Sequence, residues 1–180
     1  MTNRERFHEL MNADAFIDRS PALEWATWWD KTIRFWESEG MPENMESHDI
    51  FDYFGLDDIS QYWFPHKTPD CPEEKSHGSG IMENEADYER IKPFLYPKDA
   101  VERMRKEIER TIPHYESGET IVWYTLEGFF WFPRVLFGIE NHMYSFYDYP
   151  ELYHRICNDL LEWQICVIDE FSRYMKADFM

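Results

Sequence analysis

The spacing between apolar residues changes several times along the chain, and each segment of constant spacing predicts one helix or strand. Residues 2–12 are predicted to form a helix, because Thr2 and Glu5 have the spacing of a capping box. Phe7 and Leu10 in the same segment fall on one helical face. The segment is therefore predicted to be an amphipathic helix that opens the chain.

Further helices are predicted from three- and four-residue spacing between Gly or Pro breakers. Asp30 is predicted to cap a helix that ends at Gly40. The remaining helical segments are 48–56, 84–92, 97–112 and 150–175.

Strands are predicted where β-branched and aromatic residues replace the helical spacing. These segments are 21–27, 58–64 and 119–127, with a short strand or hairpin arm over 80–86 and the start of another strand in "ADFM" at 177–180. Helices and strands alternate, and the connections are long enough for parallel pairing. The predicted fold class is α/β, with parallel strands and crossover helices.

Charge narrows the classes of function. The chain has 36 acidic and 18 basic side chains and a net charge of −18. A surface this acidic repels phosphate backbones, so we expect no nucleic-acid partner. The most apolar stretch, residues 123–138, is shorter than the ~18 residues of a spanning helix and contains Pro133 and Arg134. We expect no membrane association.

Two further features indicate a cytoplasmic protein. The first residues are charged and have no signal-peptide core. Three cysteines, Cys71, Cys157 and Cys166, form an odd and sparse set that suits a reducing compartment, where Cys157 and Cys166 are read as core thiols. His66 and Cys71 either begin a metal site or lie in a structural loop, and no second Cys/His pair is near them.

Aromatic residues make up 18% of the chain. They indicate either an aromatic core or a pocket for a large, flat ligand. In parallel α/β folds, sites collect beyond the carboxyl ends of the strands. The side chains placed there are candidate ligand-binding residues: Trp28, His66, Glu127, Trp131 and Arg134.

Arg134 and His66 also have interpretations that involve no ligand. An arginine among aromatics needs an anionic partner, which is either Glu127 or a ligand carboxylate. The alternative is that Arg134 is a surface residue whose guanidinium extends to water. His66 is otherwise an exposed loop residue. No Gly-rich phosphate loop, G-x-S-x-G or H-E-x-x-H motif is present, and the catalytic residues are unknown.

The segment "FFWFPRVLFGIENHMYSFYDYPELYHRICNDLLEW" resembles the uroporphyrinogen decarboxylase superfamily, in which a strand and helix lead to a G-x-E/D step and an x-P-E helix start. "TNRERFHELMN" and "DIFDYFGLD" fit the same pattern. The resemblance covers essentially the whole chain. It implies the N-terminal half of a TIM-type (β/α)8 barrel, as one partial domain over 1–180 with three strands and the start of a fourth.

The departures from the family argue against decarboxylation. "EWATWWDK" stands where the decarboxylase has its arginine-rich stretch, and "WFPH" stands where it has an aspartate. Arg134 occupies the place of its tyrosine. The chain is therefore more similar to the corrinoid- or tetrapyrrole-linked methyltransferase branch. In that branch zinc and a corrinoid belong to residues of the second barrel half, so no metal or cofactor is expected within this chain.

The resemblance leaves two functions open. One is an enzyme of the methyltransferase type that binds a small molecule or tetrapyrrole. The other is a non-catalytic half-barrel, or a truncated fragment, that acts as a binding or assembly module. An open half-barrel exposes strand edges. We therefore expect a fragment that is poorly stable alone, that forms homo-oligomers, or that pairs with a complementing C-terminal half-barrel.

Overall fold

The computed structural model describes residues 1–12, 16–26 and 28–180. The described part contains helices and a two-stranded parallel sheet, a mixed α/β arrangement as predicted. The elements in chain order are α1 Asn3–Met11, α2 Asp30–Ser38, α3 Ser47–Tyr53, β1 Asp58–Trp63, α4 Glu85–Ile91, α5 Ala100–Arg103, α6 Arg105–Ser117, β2 Thr120–Thr125, α7 Trp131–Phe137, α8 Ile139–Asp148 and α9 Pro150–Phe171.

Two predicted strands are confirmed as β1 and β2, and the predicted first strand is wrong. Residues 21–26 are not a strand, and Thr27 lies outside the described residues. The backbone of Ala22 binds Asp57 instead: its N–H donates to the Asp57 carboxylate at 2.9 Å, and its carbonyl accepts from the Asp57 N–H at 2.8 Å. A carboxylate satisfies the amide that a neighbouring strand would otherwise bind.

The strand or hairpin arm predicted over 80–86 is wrong, because these residues form no strand and the last two belong to α4. The strand start predicted at 177–180 reduces to a single bridge, and a further bridge lies just before residue 80. Phe179 forms one parallel bridge with Trp123, and Ser79 forms one antiparallel bridge with Gly138. Residues 177–180 are nevertheless bound to β2, through Asp178. Its side chain accepts from the Val122 N–H at 2.9 Å, so a carboxylate replaces part of the strand ladder.

Of the two predicted helix caps, the one at Thr2 is confirmed and the one at Asp30 is wrong. The capping box of α1 is confirmed, since the Thr2 hydroxyl accepts from the Glu5 N–H at 3.1 Å and the Glu5 carboxylate accepts from the Thr2 N–H at 2.9 Å. The capping role of Asp30 is wrong, because α2 begins one residue earlier. Trp29 is the extended N-cap residue, and Asp30 lies in the first turn. A carboxylate there still interacts favourably with the helix dipole.

The chain divides into two compact units. Unit 1 comprises Met1–Tyr62, Glu107–Trp123 and Ala177–Met180, and unit 2 comprises Trp63–Lys106 and Tyr124–Lys176. In unit 1, the buried carboxylate of Asp57 accepts hydrogen bonds from Arg19, and Arg6 lies 3.5 Å from it. Arg6 also binds Asp18 at 2.7 Å. These ion pairs fasten residues 18–22 to the segment before β1.

In unit 2, α7, α8 and α9 pack on one another around fully buried apolar side chains. α9 has the predicted periodicity, and the side chains that it buries are Leu152, Ile156, Leu160, Trp163, Gln164, Val167 and Phe171. Within the described ranges, no helix combines the length and the apolar character needed to cross a bilayer.

Candidate functional site

In unit 2, one titratable side chain follows the carboxyl end of each strand. His66 follows β1 and Glu127 follows β2, and His66 Nδ1 lies 3.4 Å from Glu127 Oε1. The side chains are only 21% and 16% exposed. The structure thus brings two of the five predicted residues together, and the alternative that His66 is an exposed loop residue is wrong.

Burial sets the protonation of this pair. It lowers the pKa of His66 to about 4, and the positive charge of Lys67 acts in the same direction. Burial raises the pKa of Glu127, while Lys67 opposes that shift. Both groups therefore favour their neutral forms more than they would in water. Near neutral pH the imidazole of His66 is uncharged, so this contact is not a full ion pair.

The packing around the pair is aromatic. Phe132 meets the His66 ring edge to face, with centroids 5.2 Å apart, and also contacts Tyr96 at 5.7 Å. The carbonyl of His66 accepts from the Tyr96 N–H at 3.0 Å. Gln164 donates to the Glu127 carbonyl at 2.7 Å. Both chain segments are thereby held by hydrogen bonds from neighbouring elements.

A cleft of about 790 Å³ lies between the loop 67–81 and helix α7. Trp131 and Arg134 from α7 line it, together with Lys67, Cys71 and His77 from the loop. His66 and Glu127 are not among the lining residues. Two more predicted site residues, Trp131 and Arg134, thus share this cleft, which is large enough for a small organic ligand.

Backbone contacts shape the cleft at both ends of the loop. Thr68 N–H donates to the Phe94 carbonyl at 2.8 Å, and Ile81 N–H donates to the Leu136 carbonyl at 2.8 Å. Gly80 and Gly138 approach so closely that a Cβ on Gly138 would lie 2.4 Å from the Gly80 nitrogen. Gly138 also has a φ of +82°, which only glycine adopts readily. The two glycines therefore allow the loop to lie against α7.

Arg134 is a half-buried cation without a carboxylate partner in the described part of the chain. Its guanidinium lies over the Trp131 ring, 4.4 Å from the centroid. Of the two anionic partners considered for Arg134, Glu127 forms no ion pair with it and contacts His66 instead. Many other arginines do have carboxylate partners: Arg4, Arg6, Arg19, Arg90, Arg103, Arg105, Arg110 and Arg155.

Trp28, the fifth predicted residue, belongs to unit 1. It packs against Trp36, Phe51 and Phe54, with ring centroids 5.4, 5.3 and 6.2 Å away. For this residue the interpretation as part of an aromatic core fits the contacts. The four other candidates, His66, Glu127, Trp131 and Arg134, belong to unit 2.

The cysteines differ from the sequence interpretation. Cys71 is buried, which raises the pKa of its thiol, but Cys166 is exposed and is not a core thiol. Cys157 is half-buried. In the described ranges no group of three or more His, Cys, Asp or Glu side chains is arranged to hold a metal ion.

Sequence reasoning missed three features of unit 2. Lys67 joins Arg134 in the cleft, and only its position after β1 marked it. Asp159 on α9 accepts from Tyr88 at 2.7 Å and from Lys92 at 2.6 Å. Tyr96, whose hydroxyl lies 2.9 Å from that of Tyr88, has a positive φ of 58°. Non-glycine residues in this conformation are strained, and no sequence signal indicated it.

Comparisons of the chain with models of known protein families, with curated proteins and with solved structures gave no match.

Proposed function

We propose that unit 2 binds a small organic anion with a flat apolar part in the cleft between the loop 67–81 and α7. The observation that carries the proposal is the pair of cations Lys67 and Arg134. Both line the cleft, and neither forms a salt bridge within the described residues, although the charge of Lys67 also acts on the Glu127 carboxyl. In a chain where acidic side chains outnumber basic ones two to one, 36 to 18, unpaired cations that share a cleft favour an anionic ligand.

The second feature that supports the proposal is Trp131. Its ring already contacts the Arg134 guanidinium at 4.4 Å and is 52% exposed, so it offers a flat surface to an aromatic ligand. Glu73 and Glu74 also line the cleft and are exposed. They disfavour ligands with negative charge on all sides, so the charge of the ligand should lie at one end.

Membership of the uroporphyrinogen decarboxylase superfamily, with a fold that is half of a TIM-type barrel, belongs to the same proposal. What supports it is the parallel pairing of β1 and β2 and the positions of His66 and Glu127 after those strands. The missing strand at 21–26 weighs against it. On this basis the ligand class is a carboxylate-bearing tetrapyrrole or a substrate of corrinoid-linked methyl transfer.

The test is isothermal titration calorimetry with protoporphyrin IX, a flat tetrapyrrole whose two carboxylates lie on one edge. Protoporphyrin IX should bind, and Arg134→Met and Lys67→Met should each weaken binding about tenfold, which is about 1.4 kcal/mol. Arg173→Met and Lys98→Met remove exposed cations of unit 2 outside the lining and serve as matched controls. Absence of binding, or equal weakening by the controls, would reject the proposal.

A further inference from the structure

One face of α8 presents apolar side chains to solvent. Positions 140, 143, 144 and 147 share this face by helical spacing. Met143, Tyr144 and Tyr147 are 56%, 59% and 86% exposed. On the opposite face His142 and Ser145 are 0% and 1% exposed. The helix therefore packs on unit 2 with one side and leaves the opposite, apolar side exposed. An exposed apolar patch of this kind is typical of an interaction surface.

A groove of about 300 Å³ runs beside this face. Buried Phe137 and Ser145 belong to its lining, and Tyr144 and Tyr149 line it with exposed rings. The rings of Phe137 and Tyr149 are stacked, with centroids 6.5 Å apart and 14° between the planes. Because Tyr144 belongs both to the groove and to the exposed face, the two form one continuous surface, which we call the α8 surface.

The α8 surface carries negative charge only. Glu83 and Asp148 line the groove, and Glu140 lies on the exposed helix face. None of these three carboxylates has an ion pair among residues 1–12, 16–26 and 28–180. Aromatic rings beside unpaired carboxylates favour an ammonium or guanidinium group, which gains both a charge partner and a π face.

Charge also decides between a second copy of the chain and a different partner. A second copy would bring the same three carboxylates to the interface and a further net charge of −18. Like charges placed against each other oppose association. A basic partner gains from the same field, both in affinity and in its rate of encounter.

We propose that the α8 surface docks a basic amphipathic helix of another protein. The apolar side of that helix covers Met143 and Tyr147, in the manner of helix-in-groove recognition. A lysine or arginine of the partner enters the groove between Glu83 and Asp148, against the rings of Tyr144 and Tyr149. This binding uses none of the residues that line the anion cleft, so it does not depend on the function proposed above.

The test uses a fluorescently labelled peptide of leucine and lysine with helical amphipathic spacing, followed by anisotropy. A peptide of the same composition with scrambled spacing is the first control. The amphipathic peptide should bind at least tenfold more tightly than the scrambled one. Met143→Ser with Tyr147→Ser, and separately Glu83→Gln with Asp148→Asn, should each weaken binding at least tenfold.

Matched variants separate docking from general attraction to an acidic protein. Leu161→Ser with Ile165→Ser removes two exposed apolar side chains with the same four-residue spacing on α9. Glu39→Gln with Glu43→Gln removes two exposed carboxylates of unit 1. Both control pairs should leave the affinity within twofold of wild type. Equal effects of test and control pairs would overturn the proposal.

Self-association is the competing outcome, and sedimentation velocity detects it. A wild-type dimer that Met143→Ser with Tyr147→Ser converts to a monomer would show that a second copy covers the α8 surface, and would overturn the proposal. A chain with an unchanged sedimentation coefficient in this variant, combined with lost peptide binding, supports it.

Discussion

His66 Nδ1 and Glu127 Oε1 lie 3.4 Å apart, and burial moves each of them toward its neutral form. Since the folded pKa of His66 is lowered to about 4, the unfolded chain binds a proton below the ordinary value of 6.5 that the folded chain does not. His66 therefore lowers the free energy of unfolding as pH falls from about 6.5 to about 4. In NMR, its ring protons should titrate near pH 4.

Glu127 acts with the opposite sign. Its raised pKa means that the folded chain holds a proton which the unfolded chain releases, so this contribution is present at low pH and is lost as pH rises through the raised value. Because His66 makes the chain less stable toward low pH, His66→Gln should make the free energy of unfolding fall less between pH 6.5 and pH 4. Urea unfolding at several pH values measures this difference. A His66 ring that titrates near 6.5 would contradict the buried placement.

Gly138→Ala should destabilise unit 2 by at least about 2 kcal/mol. The new Cβ would lie 2.4 Å from the Gly80 nitrogen, and the φ of +82° strains any side chain. Gly128→Ala is the matched control, because its Cβ would meet nothing closer than 4.0 Å. Thermal unfolding should separate the two variants. Similar midpoints would show that the loop does not lie against α7 as described.

Asp178→Asn should cost about 3 kcal/mol of unfolding free energy. The Asp178 carboxylate is 0% exposed and accepts from Arg4 at 2.7 Å, and it lies 2.6 Å from His8 Nε2. The amide cannot accept from all of these donors and leaves the arginine without its counter-charge. Urea unfolding measures the loss, and the exposed Asp52→Asn should stay within about 0.5 kcal/mol of wild type.

Tyr88→Phe should destabilise the chain by about 1–2 kcal/mol. The side chain is 0% exposed, and its hydroxyl donates to Asp159 at 2.7 Å while lying 2.9 Å from the Tyr96 hydroxyl. Removing it leaves both partners without that contact. Tyr147→Phe is the control, since Tyr147 is 86% exposed. If chemical denaturation finds equal midpoints, the hydroxyl network does not contribute to stability.

Local signals in the sequence were sufficient for most helices and for two strands. The capping box of Thr2 and Glu5 and the three- to four-residue spacing of α9 act within one element, so they are visible in the sequence. The segment 21–26 failed for the opposite reason. Its backbone is bound by the distant Asp57, and no local pattern specifies that contact.

The candidate site was predicted in part. Position after a strand was enough to select His66 and Glu127, which do meet. The same reasoning left Glu127 open as the anionic partner of Arg134, but which neighbouring side chain a carboxylate contacts depends on side-chain packing. Lys67 was missed because the course of the loop depends on Gly80 and Gly138, where two backbones approach. That approach joins segments far apart in the sequence.

The backbone bonds between the loop and α7 have a consequence for hydrogen exchange. Amides of Ile81 and Met82 both donate to the Leu136 carbonyl, and the amide of Ile139 donates to the Gly78 carbonyl. The loop cannot leave the helix without uncovering all three amides at once. Their hydrogens should therefore exchange with deuterium at one common rate, as a single cooperative unit within the native state.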